Sequence, residues 1–95
     1  MTDEQQVQQV SAIFSALGSP TRLKIIELVS ETQRPLHIKG VAQVLEKDYA
    51  AIYRHIGVLE ECGLIGVYDV GRSRVIYLKN AELVKQCVAT VRKML

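Results

Sequence analysis

The chain has no closely spaced cysteine pair, no apolar run long enough to cross a bilayer and no large excess of charge of one sign. Each absence excludes something. Its two cysteines, Cys62 and Cys87, stand 25 positions apart, whereas a thiolate metal site needs sulfurs that converge on one ion. A membrane-spanning helix needs roughly 20 consecutive apolar residues, and none is present. The opening MTDEQQVQQV puts acids and glutamines where an export signal needs cations and an apolar run. Unexported, with two unpaired thiols, the chain reads as cytoplasmic. A net charge of +2 is too mild to announce a nucleic-acid binder by itself. Also missing are repeats, low-complexity tracts, a nucleophile–base–acid set, a glycine-rich phosphate loop and paired carboxylates. The expectation is therefore no enzyme, no cofactor and no metal site.

What is present is an ordinary globular composition, 48% hydrophobic and 23% charged over 95 residues. That length makes residues 1–95 one small domain, which buries only about 60–65% of its unfolded surface. Helical punctuation is dense. Thr2 and Gln5 form a capping box, Val7, Val10, Phe14 and Leu17 recur at helical spacing, and Gly18 is placed to close the helix in a left-handed conformation. Ser19 and Pro20 open a second helix, with Leu23, Ile26 and Val29 as its buried stripe. After the polar SETQRP, a short extended segment near residues 36–38 precedes a short helix carrying Val41, Ala42 and Leu45. EKD is a tight turn. Asp48 then caps a fourth helix whose inward stripe is Ile52, Ile56 and Leu59, with Gly63 at its end.

The period changes at residue 65. IGVYDVGRSRVIYLK alternates on both sides of a Gly-Arg-Ser turn, which predicts a hairpin with strands near 65–70 and 74–79. Asn80 is placed to cap a last helix whose apolar side carries Leu83, Val84, Cys87, Val88, Val91 and Leu95. The predicted fold is mostly α with a small β-hairpin (α+β), in the order α-α-α-α-β-β-α. Two helices joined by a tight turn and followed by a hairpin match a winged helix-turn-helix, whose second helix can enter a major groove.

The outer face of that second helix is unusual in its lack of bulk. Ala50, Ala51 and Gly57 are small, and Tyr49, Tyr53 and Arg54 stand among them. Arg54 lies about 200° around the helix from the inward Ile52, at ~100° per residue. Small residues such as Ala50 and Ala51 permit close approach to a groove floor, and an arginine there can pair with guanine O6 and N7. Tyr49 and Tyr53 can donate to phosphates or stack on thymine methyls. The bland alternative is a solvated arginine and two tyrosines packed on the domain. The charge distribution favours the first reading: residues 70–80 hold Arg72, Arg74 and Lys79 and no acid. Arg72 and Arg74 at the hairpin are read as phosphate or minor-groove contacts. Arg22, Lys39 and Lys47 are read as weaker phosphate contacts, Lys47 beside a helix N-terminus that attracts a phosphate. His55 sits at the edge of the inward stripe and reads as a boundary residue, Cys62 as a core residue and Cys87 as an interface residue.

FSALGSPTRLKIIELV and YRHIGVLEECGLIGVYDVGRSRVIYL together resemble the ArsR-type winged-helix repressors, the first in that family's second helix and the second in its recognition helix and wing. The resemblance covers nearly the whole chain. It implies a homodimeric repressor that binds double-stranded DNA, with terminal helices (about 3–17 and 80–95) forming the dimer interface. Here those helices offer Val7, Val10 and Phe14 with Val84, Cys87, Val88 and Val91. Three departures stand out. Many members place a Cys-x-Cys metal pair where this chain has His37 and Lys39. The glycine usual in the turn falls at Glu46, followed by Lys47 in place of an apolar residue. Gln and Ser, common on the recognition helix, fall at Tyr49 and Tyr53. The expected function is a DNA-binding transcriptional regulator, a repressor acting on a pseudo-palindromic operator. The alternative is a winged-helix protein–protein interaction module that does not bind DNA.

Overall fold

A computed structural model describes residues 3–32 and 34–95 of the chain. Thr2, expected to cap the first helix, lies outside them. The elements are α1 (Asp3–Leu17), α2 (Pro20–Thr32), β1 (Leu36–His37), α3 (Ile38–Leu45), α4 (Tyr49–Glu61), β2 (Ile65–Val70), β3 (Ser73–Leu78) and α5 (Ala81–Arg92). The anticipated extended segment is β1. It pairs antiparallel with β3, Leu36 opposite Ile76, so the wing is the outer part of a three-stranded sheet in the order β1-β3-β2. The expected winged helix-turn-helix is thus the fold.

The core lies where α2, α3 and α4 meet the base of this sheet. Ile25, Ile52, Leu59, Ile65 and Ile76 are fully buried, with Ile38, Val41 and Ile56 beside them. Each such side chain contributes about 1.5–3 kcal/mol of transfer free energy. Ile52, Ile56 and Leu59 follow the helical repeat and place one face of α4 inward. The opposite face is left outside.

Local signals explain most boundaries. The Arg22 amide donates to the Ser19 hydroxyl at 3.3 Å, which makes Ser19 the N-cap of α2. The Ala51 amide donates to Asp48 Oδ2 at 3.4 Å and caps α4 likewise. At the other end of α4, Gly63 has φ 86°, and the amides of Gly63 and Leu64 return to the carbonyls of Glu60 and Leu59, a Schellman closure. The same pair of bonds closes α3, from Glu46 to Gln43 and from Lys47 to Ala42, with Glu46 itself at φ 54°.

Several expectations are corrected. Gly18 is not left-handed; the positive-φ glycines are Gly63 and Gly71 among the described residues. The carbonyls at the end of α1 are capped from α2 instead, by the Arg22 guanidinium. On α2 the fully buried residue is Ile25, and Leu23 is only half-buried. The wing turn has two residues: Ser73 pairs with Val70 across Gly71, at φ 60°, and Arg72. Strand β3 therefore starts one residue earlier than expected. Asn80 precedes α5 but is left-handed, at φ 52°, and its side chain makes no capping bond. Val84, assigned to the dimer surface, is a core residue at 6% exposure, because α5 lies across α2 and turns that position inward.

Candidate nucleic-acid interface

The outward face of α4 carries Tyr49, Ala50, Tyr53, Arg54 and Gly57, all exposed, while Ala51 is half-buried at its margin. A methyl group added at Gly57 would touch nothing within 4 Å. Nothing inside the chain therefore requires glycine there, although glycine in mid-helix costs roughly 0.5–1 kcal/mol relative to alanine. Arg54 takes no hydrogen bond or ion pair among the described residues. Lys47 is exposed immediately before α4, close to the amides of its first turn. Arg72 occupies the exposed wing turn and is likewise without an intramolecular partner among the described residues.

Arg74 differs from Arg72. It lies on β3 opposite Asp69 of β2, and its Nε is 3.3 Å from Asp69 Oδ1. Its Nη1 donates to the Tyr53 hydroxyl at 3.0 Å, and its guanidinium carbon lies 5.9 Å from the centre of that ring. Tyr53 in turn stacks with Tyr49 one turn earlier, ring centres 6.1 Å apart and planes 30° from parallel. The tyrosines are thus neither packed on the core nor free. They form a short aromatic column on the outer face of α4, ended by a cation from the wing. Sequence spacing shows the Tyr49–Tyr53 pair but not its third member, 21 positions on.

Arg22, weakly assigned to phosphate, is taken up internally. Its Nε donates to the Ala16 carbonyl at 2.6 Å, Nη2 to the Ser15 carbonyl at 3.4 Å and Nη1 to His55 Nδ1 at 3.1 Å. One side chain of α2 thereby joins the end of α1 to the recognition helix. Since a guanidinium only donates, His55 accepts at Nδ1 and carries its proton on Nε2. Burial, followed by the positive charges of Arg22, Arg54 and Lys47, lowers the His55 pKa from its ordinary 6.5. The neutral imidazole is favoured. His55 is a boundary residue, as its position at the stripe's edge suggests.

The remaining candidates lie elsewhere. His37 and Lys39 are exposed around the start of α3, away from any set of convergent ligands. Among the described residues no three histidine, cysteine or acidic side chains come together in a way that could hold a metal ion. Cys62 is half-buried, its thiol donating to the Leu59 carbonyl at 3.5 Å. Cys87 lies in an apolar groove between α1 and α5 with Phe14, Val88 and Val91. On the same side Val7 and Phe14 are 62% and 61% exposed, and Val10 and Val91 about half exposed. No helix among the described residues is long and apolar enough to cross a membrane.

This arrangement of helix pair, recognition helix and wing is that of a winged helix-turn-helix transcriptional regulator. The chain belongs to the HVO_A0114 family, whose model matches residues 17–85, from the end of α1 into α5. It is 34% identical over 77 residues to the uncharacterized HTH-type transcriptional regulator YuzN of Bacillus subtilis, covering 76% of this chain and 84% of that one. Among solved structures, it is similar to an ArsR-like transcriptional regulator from Rhodococcus sp. RHA1, with 27% identity, a TM-score of 0.74 and coverage of 97% and 82% of the two chains. The homodimeric winged helix-turn-helix DNA-binding domain Mb0332 from Mycobacterium bovis shares the fold, with a TM-score of 0.80, 21% identity and coverage of 95% and 88%. The ArsR-type resemblance seen in the sequence is thus matched by a likeness in fold to ArsR-like regulators.

Proposed function

We propose that this chain is a cytoplasmic, sequence-specific DNA-binding repressor that acts as a homodimer on a pseudo-palindromic operator. The observation that carries this reading is the pair Arg54 and Arg72, both exposed and without intramolecular partners among the described residues. One stands on the small-residue face of α4, the other at the wing tip. Arg54 reads a base edge in the major groove while Ala50 and Gly57 admit the groove floor. Arg72 meets the flanking backbone, and Lys47 with the first amides of α4 holds a phosphate. Dimerisation through α1 and α5 is supported by the exposed apolar residues Val7, Val10, Phe14 and Val91 and by the homodimeric state of Mb0332. Two copies then present their α4 helices to grooves one turn apart, about 34–36 Å.

Fluorescence anisotropy on random duplex, and on fragments selected by the purified protein, tests this over a salt series. Affinity should fall steeply with salt, and Arg54→Ala should lose about 1–3 kcal/mol on the selected sequence only. Absence of salt-dependent duplex binding would leave a protein–protein interaction module as the function.

A further inference from the structure

We propose that Arg74 is a positioning residue that locks the wing to the recognition helix through Tyr53, and that this lock sets operator specificity. The inference rests on the DNA-binding reading above. Three elements meet at this one guanidinium: β3, which carries it, β2 through Asp69 and α4 through Tyr53. Its Nη1 donates to the Tyr53 hydroxyl, its Nε lies 3.3 Å from the Asp69 carboxylate, and its guanidinium carbon lies 5.9 Å from the centre of the tyrosine ring. These contacts engage two of its five N–H donors and hold the guanidinium between β2 and α4. Arg72, two residues away at the tip, has no such ties and is the wing's available cation.

The lock acts on the surface that reads DNA. Tyr53 neighbours Arg54 and stacks on Tyr49, so holding its hydroxyl restrains the ring, and with it the aromatic column along the outer face of α4. The wing is fixed by the same interaction. Its outer residues Tyr68, Asp69 and Val70 are exposed, and cross-strand pairing alone leaves a two-stranded ribbon free to twist. A helix and wing held at one angle can fit one operator geometry well, because the ordering is done before binding. Random duplex, held mainly by phosphates, gains little from that.

The test compares Arg72→Ala, Arg74→Ala, Tyr53→Phe, Arg74→Lys and the Arg74→Ala/Tyr53→Phe pair on selected and random duplex across a salt series. Arg72→Ala should lower the slope of log K against log salt by about 0.9 for each phosphate that is no longer neutralised. Arg74→Ala and Tyr53→Phe should each leave that slope unchanged and reduce the selected-to-random affinity ratio three- to tenfold. Their combination should be no worse than either alone, since both break the same hydrogen bond. Arg74→Lys, which keeps the charge but not the fork, should not restore the ratio. In the DNA-free protein, the Arg74 Nη1 hydrogens should exchange with water more slowly than those of Arg72 by NMR at low temperature, and Tyr53→Phe should reduce the difference. A slope lowered by Arg74→Ala with additive loss on Tyr53→Phe would make Arg74 a phosphate ligand and overturn the proposal, as would equal exchange at the two arginines. Salt-independent or absent duplex binding by the unaltered protein would overturn the DNA-binding reading itself, and the specificity role with it, while the exchange measurement would still report on the Arg74–Tyr53 bond.

Discussion

Glu46 holds a backbone conformation that costs an ordinary residue about 1–2 kcal/mol, at φ 54° and ψ 45°, in the turn between α3 and α4. Its side chain is exposed and forms no bond that would offset this among the described residues. Replacement by glycine removes the steric cost and returns part of it as chain entropy in the unfolded state. Glu46→Gly should therefore stabilise the domain by about 0.5–1 kcal/mol, read as a higher urea midpoint with an unchanged slope. His55 supplies a second residue-scale expectation. Its folded-state pKa lies below the ordinary 6.5 of the unfolded chain, so the unfolded state binds more protons in the window between the two values. The stability contributed by neutral His55 is fully present above pH 6.5 and is lost as pH falls from there through the lowered value. Urea unfolding at about pH 7.5 and about pH 5.5 should show a decrease that is smaller in His55→Gln, whose amide oxygen can still accept from Arg22. An equal decrease in both proteins would assign the pH dependence to other groups.

At the scale of elements, much is legible because hydrophobic period and capping chemistry are local. Ser19, Asp48 and Gly63 act as their positions suggest, and the switch from a period near 3.6 to a period of 2 marks where α4 gives way to the sheet. The failures share a cause: the deciding partner is distant in sequence. Gly18 resembles a terminator, yet α1 is finished by Arg22 of the next helix. The Asn80 side chain suggests a cap, but its backbone is used for a left-handed corner after β3. Tyr77 lies over Gly66, its cross-strand neighbour, so closely that a methyl group there would come within 2.2 Å of the ring, and it tilts against Tyr68. No signal in either segment alone announces that fit. For α5 the sequence shows an apolar side but not its division. Val84 goes to the core and Val91 to the outside, with Arg92 tied to Glu27 of α2. Deleting α5 would thus remove core as well as interface. Val91→Glu is the cleaner change and should yield a folded monomer, with circular dichroism retained and the mass by light scattering halved. A dimer that persists would place the interface away from α5.

For the whole molecule, the relevant feature is how little of its own chain α1 touches. From Asp3 to Ala12 every residue of that helix is exposed, and its single fully buried residue is Ala16, near the end that Arg22 holds. A 15-residue helix is marginal in isolation, since its stability in proteins comes mostly from packing of one face. On the dimer reading that packing is supplied by the second copy, and ordering of the first three turns belongs to assembly as much as to folding. The midpoint of thermal unfolding should then climb by roughly 3–4 °C for each tenfold rise in protein concentration, taking about 0.7 kcal/mol of unfolding enthalpy per residue over two chains. A midpoint independent of concentration would mean that α1 is held by its own chain alone. Abundance would also set dosage response. Where the monomer predominates, the quantity of assembled regulator grows with the square of the amount synthesised, so a twofold change in expression becomes about a fourfold change at the operator.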